Sequence, residues 1–124
     1  MKAILAAFAV ALLIKTFVFD VVIAEGYSME PTIRSGSVLV VNRLQYGFRL
    51  PGRKGFLIQW ANPGEGDVVV FFTPAGYVAV KRAVGVGEDG VFMAKGDNHL
   101  LSYDSRSFGP VPAAAVIGRV LGIR

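Results

Sequence analysis

The sequence predicts a mainly β fold: a small, partly open β barrel or sandwich preceded by one N-terminal transmembrane helix. Three observations carry this expectation. Hydrophobic residues make up 53% of the 124 positions, and much of the excess lies in the first two dozen. From Ser37 onward the chain reads as short β-branched and aromatic runs. Between those runs stand clusters such as Leu50-Pro51-Gly52, Asn62-Pro63-Gly64 and Thr73-Pro74-Ala75-Gly76, which punctuate strands rather than cap helices. The length fits one domain with an appendage, divided as an anchor over residues 1–22 and a β domain over 23–124.

After Met1-Lys2 the chain runs from Ala3 to Ile14 without a polar residue, meets Lys15, and continues as Thr16-Phe17-Val18-Phe19 before Asp20. A membrane span needs about 20 mostly apolar residues, and Ala3–Phe19 approaches that length if Lys15 snorkels. Alanine and leucine favour helix in the first half. The β-branched and aromatic stretch Phe17–Ile23 favours an extended strand, so the helix is expected to give way near Asp20. A second reading is a cleaved secretory signal with Val22-Ile23-Ala24 as the small-residue cleavage site. Lys15 interrupts the apolar core that such a signal needs, and a cut after Ala24 would leave Ser28 almost at a free end. The basic Lys2 points to a cytoplasmic N-terminus, with the remainder on the other side of the membrane.

The expected strands are Ser37–Asn42, Asp67–Phe72, Tyr77–Val86, Val91–Lys95 and Val116–Ile123, with no helical period after residue 24. One segment differs in composition. Arg43 to Trp60 interleaves Arg43, Arg49, Arg53 and Lys54 with Tyr46, Phe48, Phe56, Leu57, Ile58 and Trp60. That mixture suits a membrane interface, where cations meet lipid phosphates and rings sit at headgroup depth. It also suits single-stranded nucleic acid, or an ordinary hairpin whose aromatics pack on the β domain.

Composition narrows the chemistry. The net charge of +4 does not separate an anionic lipid surface from nucleic acid. The absence of cysteine and the single histidine leave no basis for disulfides, thiolate sites or a zinc centre, and no cofactor is expected. A serine is a weak nucleophile unless a base takes its proton. With His99 as the only histidine, a lysine is the natural partner. Ser28, in Gly26-Tyr27-Ser28-Met29-Glu30-Pro31-Thr32, and Lys81, in Val78-Ala79-Val80-Lys81-Arg82, are the candidate pair. Alone, Ser28 reads as a turn residue and Lys81 as a solvent-facing strand lysine. The polar run from Gly96-Asp97-Asn98 through Ser102-Tyr103-Asp104-Ser105-Arg106 to Gly109-Pro110-Val111-Pro112 implies a tightly turned, hydrogen-bonded structure. On an extended segment Asp104 and Arg106 share one side and can pair.

These segments, together with Gly66-Asp67-Val68-Val69-Val70-Phe71 and Lys81-Arg82-Ala83-Val84-Gly85, resemble the successive boxes of type I signal peptidases. They stand in the family's order from Ser28 to Pro112. The resemblance implies a membrane-anchored Ser-Lys endopeptidase that removes signal peptides on the extracytoplasmic face of the cell membrane. Its partners would be signal-peptide-bearing preproteins, membrane lipid and the secretion translocon, with no nucleic acid. Carried onto this chain, Ser28 resembles the nucleophile and Lys81 the general base. Ser102 would hydrogen-bond the lysine, and Asp104 and Arg106 would form a structural ion pair. Burial disfavours a lysine's charged form, and Val78, Val80 and Phe71 are the expected desolvating groups. Ala24, Met29 and Val80 would line shallow pockets for small residues of an Ala-x-Ala site, while Glu30 and His99 read as surface residues.

The chain departs from the family's pattern in three places. Gly26 stands where some relatives carry a serine that donates to the oxyanion, leaving the Ser28 N–H with a backbone group or water as second donor. The lysine box ends Gly85-Val86-Gly87-Glu88-Asp89. Only Gly90 to Lys95 then separates it from the Gly-Asp-Asn segment, as in compact members. Two other classes fit parts of the pattern. A LexA-like self-cleaving Ser-Lys protein would need a DNA-binding module and a cleavage loop, neither visible here. A non-catalytic, membrane-anchored peptide-binding β domain would have no use for Ser28, Lys81 and Ser102 together.

Overall fold

The structure is a computed structural model, described over residues 1–50 and 55–123. Helix α1 (Lys2–Phe17) is followed by strands β1 (Phe19–Ile23), β2 (Val38–Asn42), β3 (Gly47–Phe48), β4 (Ile58–Gln59), β5 (Val68–Phe72), β6 (Val78–Val84) and β7 (Met93–Lys95). A one-turn helix α2 (Ser105–Phe108), a 3-10 turn (Ala113–Ala115) and strand β8 (Val116–Ile123) complete the chain. Six strands form one antiparallel sheet in the order β1-β2-β8-β5-β6-β7, and β3-β4 is a separate hairpin. Among the described residues the sheet is open, with β1 and β7 each paired on one side only.

The expected strands appear at nearly the expected places, with half of their ends trimmed by one or two residues because turn residues take the final backbone bonds. After residue 24, where the sequence shows no helical period, the chain makes two short helical elements, α2 and the 3-10 turn. Both are too short to display a periodicity, and α2 is started by a cap rather than by an apolar pattern.

Helix α1 ends at Phe17, with Val18 as its C-cap. The β-branched stretch that follows is captured by β2: Arg43 N–H donates to the Val18 carbonyl at 2.7 Å, and Phe19 to Ile23 pair with Asn42 to Val38. Sixteen helical residues rise about 24 Å, short of a hydrocarbon core about 30 Å thick. No helix among the described residues is long and apolar enough to cross a membrane. Most of α1 faces outward nonetheless, with Ile4, Leu5, Phe8, Leu12 and Leu13 exposed.

In the basic and aromatic segment, the two described arginines turn inward. Arg43 reaches Asp20 at 3.9 Å. Arg49 is buried between the rings of Phe56 and Phe72, with its Nη2 donating to the Ala114 carbonyl. Neither is spread toward a phosphate surface. Arg53 and Lys54 lie outside the described residues. Leu57, Ile58 and Trp60 are exposed on the hairpin, and Phe48 stacks on Phe17 at the end of α1.

Strand alternation sorts the core onto two faces. Val69 and Phe71 of β5 join Ala83, Phe92, Ala94, Val111, Val116 and Tyr46 on one. Val68, Val80 and Val120 pack with Met29, Ile33 and Leu39 on the other. Tyr46 is anchored by its hydroxyl, which donates to Asp67 at 2.6 Å. Burial, seconded by that carboxylate, pushes the Tyr46 hydroxyl pKa far above the usual phenol range.

At Gly118 of β8 a Cβ would press on the Asn42 carbonyl and lie 2.8 Å from Val41 Cγ1. Gly118→Ala is therefore expected to destabilise the fold by about 1–3 kcal/mol, the usual cost of overpacking, read as a lower urea midpoint at unchanged slope.

Candidate active site

Ser28 lies on the connection from β1 to β2. Ala24 prolongs the β1 ladder by one step, donating to Ser37 O at 2.9 Å and accepting from Gly36 N–H at 2.7 Å. Gly26, at φ +82, then turns the chain in a conformation that side chains resist. Beyond the serine, Met29 and Ile33 are buried against Leu39, and Ile33 N–H closes a turn onto the Met29 carbonyl at 2.9 Å. The hydroxyl is thus held between a glycine bend and an apolar anchor.

Lys81 sits in the middle of β6 and is 7% exposed. Its burial follows from register. Residues 79, 81 and 83 share one side of the strand, so the neighbours of Lys81 there are Ala79 and Ala83. Val69, fully buried, stands directly across on β5. Phe71 faces Ala79 in the same register, as the expected desolvating role requires. Val78 and Val80, expected in that role too, alternate to the other side, where Val80 packs with Met29. The two alanines leave room for the lysine chain to lie over the sheet. Its Nζ is 2.6 Å from Ser28 Oγ. Burial lowers the Lys81 pKa from its ordinary 10.5, and the negative charge of Asp104 opposes that shift without reversing it.

The polar run from Gly96 to Arg106 braces this pair. Asn98 donates from its N–H to the Ser28 carbonyl at 2.8 Å and from Nδ2 to the Tyr27 carbonyl at 3.0 Å. Gly96 fits between Ser28 and Ser102: a Cβ there would lie 2.6 Å from the Ser28 carbonyl oxygen and press on the Ser102 hydroxyl. Asp97 receives a two-pronged bond from Arg82, Nε to Oδ1 at 2.9 Å and Nη2 to Oδ2 at 2.8 Å, and a further bond from Thr32 Oγ1 at 2.6 Å. Arg82 adjoins Lys81 and Thr32 lies in the serine loop, so Asp97 ties the two carriers of the pair together.

Asp104 is completely buried and accepts five hydrogen bonds. Oδ1 accepts from the backbone N–H and Nε of Arg106, and Oδ2 from Arg106 Nη2, the Gly96 N–H and the Ser102 hydroxyl. Burial alone would raise its pKa. The Arg106 guanidinium, the two backbone N–H groups and Ser102 outweigh it and hold the carboxyl well below the usual carboxylate range. Two expectations change here. Ser102 directs its hydroxyl to Asp104 Oδ2 at 2.8 Å, not to Lys81, because an ionised carboxylate is the stronger acceptor. Asp104 and Arg106 do pair, but across a helix start: Asp104 is the N-cap of α2.

A groove of about 220 Å³ runs beside the pair, with Ala24, Met29, Ile33, Val78 and Val80 in its walls together with Ser28 and Lys81. The three residues expected to line it are therefore gathered there. Glu30 and His99 are not among its walls. Among the described residues no set of His, Asp and Glu side chains converges as a metal site would. Sequence reasoning quoted Thr32, Arg82, Asp97 and Asn98 within motifs but gave them no task. Opposite charges on Arg82 and Asp97 were the available signal. Ser105 was also missed. It is buried, and its hydroxyl accepts from the Ala94 N–H at 2.7 Å, fixing α2 to β7.

The model of the family described as "Signal peptidase, peptidase S26" matches residues 1–95 and 86–123. The chain is 37% identical over 117 residues to mitochondrial inner membrane protease subunit 1 of Xenopus tropicalis, covering 84% of this chain and 68% of that protein. It is 29% identical over 145 residues to signal peptidase I of Bacillus caldolyticus, covering 86% and 80%. Against signal peptidase I of Haemophilus influenzae the identity is 39% over 66 residues, covering 53% of this chain but 19% of that protein. The chain thus spans about two thirds of the first of these relatives and under a fifth of the last.

Lys81 is expected to titrate below 10.5 in a side-chain NMR titration of the folded chain, and Asp104→Asn, which removes the opposing charge, to move it lower still. The folded state then binds fewer protons than the unfolded one between the lowered value and 10.5. Stability rises with pH across that window at up to about 1.4 kcal/mol per unit and levels off above it. A Lys81 midpoint at or above 10.5 contradicts the burial account.

Proposed function

The chain belongs to the signal peptidase S26 family, and on that premise we propose that it is a membrane-anchored serine endopeptidase cutting signal peptides from preproteins after small residues. Ser28 is the nucleophile and Lys81 the general base. The observation that carries this reading is the 2.6 Å approach of a desolvated lysine to the Ser28 hydroxyl. A base must be within hydrogen-bond reach of the proton it takes and uncharged when it takes it.

The steps follow from that geometry. Neutral Lys81 Nζ accepts the Ser28 Oγ proton as Oγ bonds to the scissile carbonyl carbon, and negative charge develops on the carbonyl oxygen. Among the described residues nothing accepts from the Ser28 N–H, which leaves it to stabilise that oxyanion. The Lys81 ammonium then protonates the departing amine, and the C–N bond breaks to leave an ester on Ser28. A water gives its proton to Lys81, attacks the ester carbonyl, and releases the signal peptide's carboxylate while Ser28 regains its proton. Asp104 and Arg106 brace the site, and Ser102 acts through Asp104.

An extended peptide would lie along the groove by adding to an open strand edge. Among the described residues β7 pairs only with Arg82 to Val84, and on the edge away from β5 the Val78–Val80 stretch of β6 has no strand beside it to take its backbone bonds. Ala24, Met29 and Val80 leave little depth beside the cut, which favours alanine. Helix α1, apolar and outward-facing, is the membrane anchor, with the β domain on the extracytoplasmic face.

The test is cleavage of a preprotein bearing an Ala-x-Ala site. The unsubstituted chain should cut after the second alanine, while Ser28→Ala and Lys81→Ala should each lose about 10³-fold or more in kcat. Because the neutral lysine is the active form, the rate should rise with pH along a limb whose midpoint lies below 10.5. Cleavage surviving in either variant, or a rate flat into acid, would remove the pair from the mechanism.

A further inference from the structure

The groove accounts for only one side of the nucleophile. Outside the groove, but bonded to the backbone of the nucleophile and its neighbour, lies the loop from Asn98 to Tyr103, whose residues are absent from the groove walls. This loop is firmly held. Asn98 bonds to the carbonyls of Tyr27 and Ser28, Leu101 N–H donates to Asn98 O at 3.1 Å, Arg106 Nη2 donates to His99 O at 2.9 Å, and Ser102 is fixed on Asp104. Yet it presents Leu100 at 93% and Leu101 at 65% exposure, with Tyr27 beside the nucleophile also exposed. Single exposed leucines need no explanation. Two adjacent ones on a braced loop, bonded to the backbone of the nucleophile and its neighbour, form an apolar surface that the core does not use.

We propose that Leu100, Leu101 and Tyr27 form a subsite for the first residues after the cut, selecting apolar side chains at the new N-terminus of the released protein. The occupant follows from continuity with the groove. A peptide whose acyl side lies among Ala24, Val78 and Val80 must leave past Ser28, and its next residues pass Tyr27 and the loop. At about 3.3 Å per extended residue, the first two or three stay within about 10 Å of the serine. Apolar side chains there cover the leucines and gain from leaving water, whereas polar ones gain nothing. The proposal rests on the peptidase reading of the same site and adds a preference to it.

Two arms test it. In the first, peptides with one Ala-x-Ala site carry Leu or Ser at the first two positions after the cut. The unsubstituted chain should favour the Leu peptide by about tenfold in kcat/KM, as expected for a partly open apolar contact. That ratio should collapse toward one in the double variant Leu100→Ser, Leu101→Ser, with the acid limb of the pH profile unmoved. An equal ratio in the two chains overturns the subsite. So does loss of binding to anionic phospholipid vesicles with the ratio retained, which would make the leucines a lipid contact. In the second arm the Ser28→Ala chain binds the same peptides labelled with a fluorophore. If the unsubstituted chain cleaves nothing, the peptidase reading falls on its own, and a Leu-over-Ser binding preference lost on substituting both leucines still supports the subsite. Equal binding overturns it.

Discussion

Everything around the site answers to the burial of one amine. An ammonium taken out of water is costly unless it finds a partner or gives up its proton, and Lys81, at 7% exposure, has no carboxylate in direct contact among the described residues. The β6 sequence makes the placement possible by setting alanines two residues to either side, so that a long side chain fits where two valines would have filled the space. Every pKa unit of depression is about 1.4 kcal/mol of preference for the neutral amine. Burial in the sheet supplies that preference, so the same packing that stabilises the sheet sets the amine's basicity.

The two buried or half-buried carboxylates nearby have separate tasks. Asp97 is held by Arg82 and Thr32, and its depressed pKa comes first from the Arg82 bond, with Thr32 adding to it. Its charge is therefore met locally, and its effect on the lysine is mechanical, through the neighbouring Arg82 and the serine loop. Asp104 is met by the Arg106 guanidinium and by three further hydrogen bonds, from two backbone N–H groups and the Ser102 hydroxyl, yet its charge is still felt at Lys81. The difference is accessibility. Asp104 has no exposed surface and little water to screen it, whereas Arg82 and Asp97 are each partly exposed, where screening weakens longer-range influence.

How much of this was legible beforehand depended on range. Strand positions were readable because Val38–Asn42, Val68–Phe72 and Val116–Ile123 combine β-branched residues with glycine and proline stops, which are local signals. The meeting of Ser28 and Lys81 was readable because the chain offers so few other side chains that could serve as a base, and the surrounding motifs stand in a recognisable order. What stayed hidden were choices made between segments. Ser102 looked like a partner for the lysine, but a carboxylate two residues away competed for its hydroxyl. Val78 and Val80 looked like desolvating neighbours because they lie close to Lys81 in the chain; strand alternation turns their side chains the other way, and they meet the lysine as walls of one groove. Asp104 and Arg106 looked extended because a single helical turn leaves no period. Arg43 and Arg49 looked like surface cations until the hairpin folded one against Asp20 and stacked the other between rings.

The connection between the helix and the site is short enough to have consequences. Only Val18 separates α1 from β1, and Phe17 stacks on Phe48 of the β3-β4 hairpin at 5.6 Å. The chain then runs through five paired residues of β1 before it reaches the bend at Gly26. Five strand residues span about 17 Å, so Ser28 lies within a few tens of ångströms of the helix end along a path with no free linker. A surface that holds α1 must also fix the height and tilt of the groove, since β1 is bonded along its length to β2 and through it to the rest of the sheet. Positioning of the proposed nucleophile relative to an anchored substrate is then a property of sheet register rather than of a flexible tether.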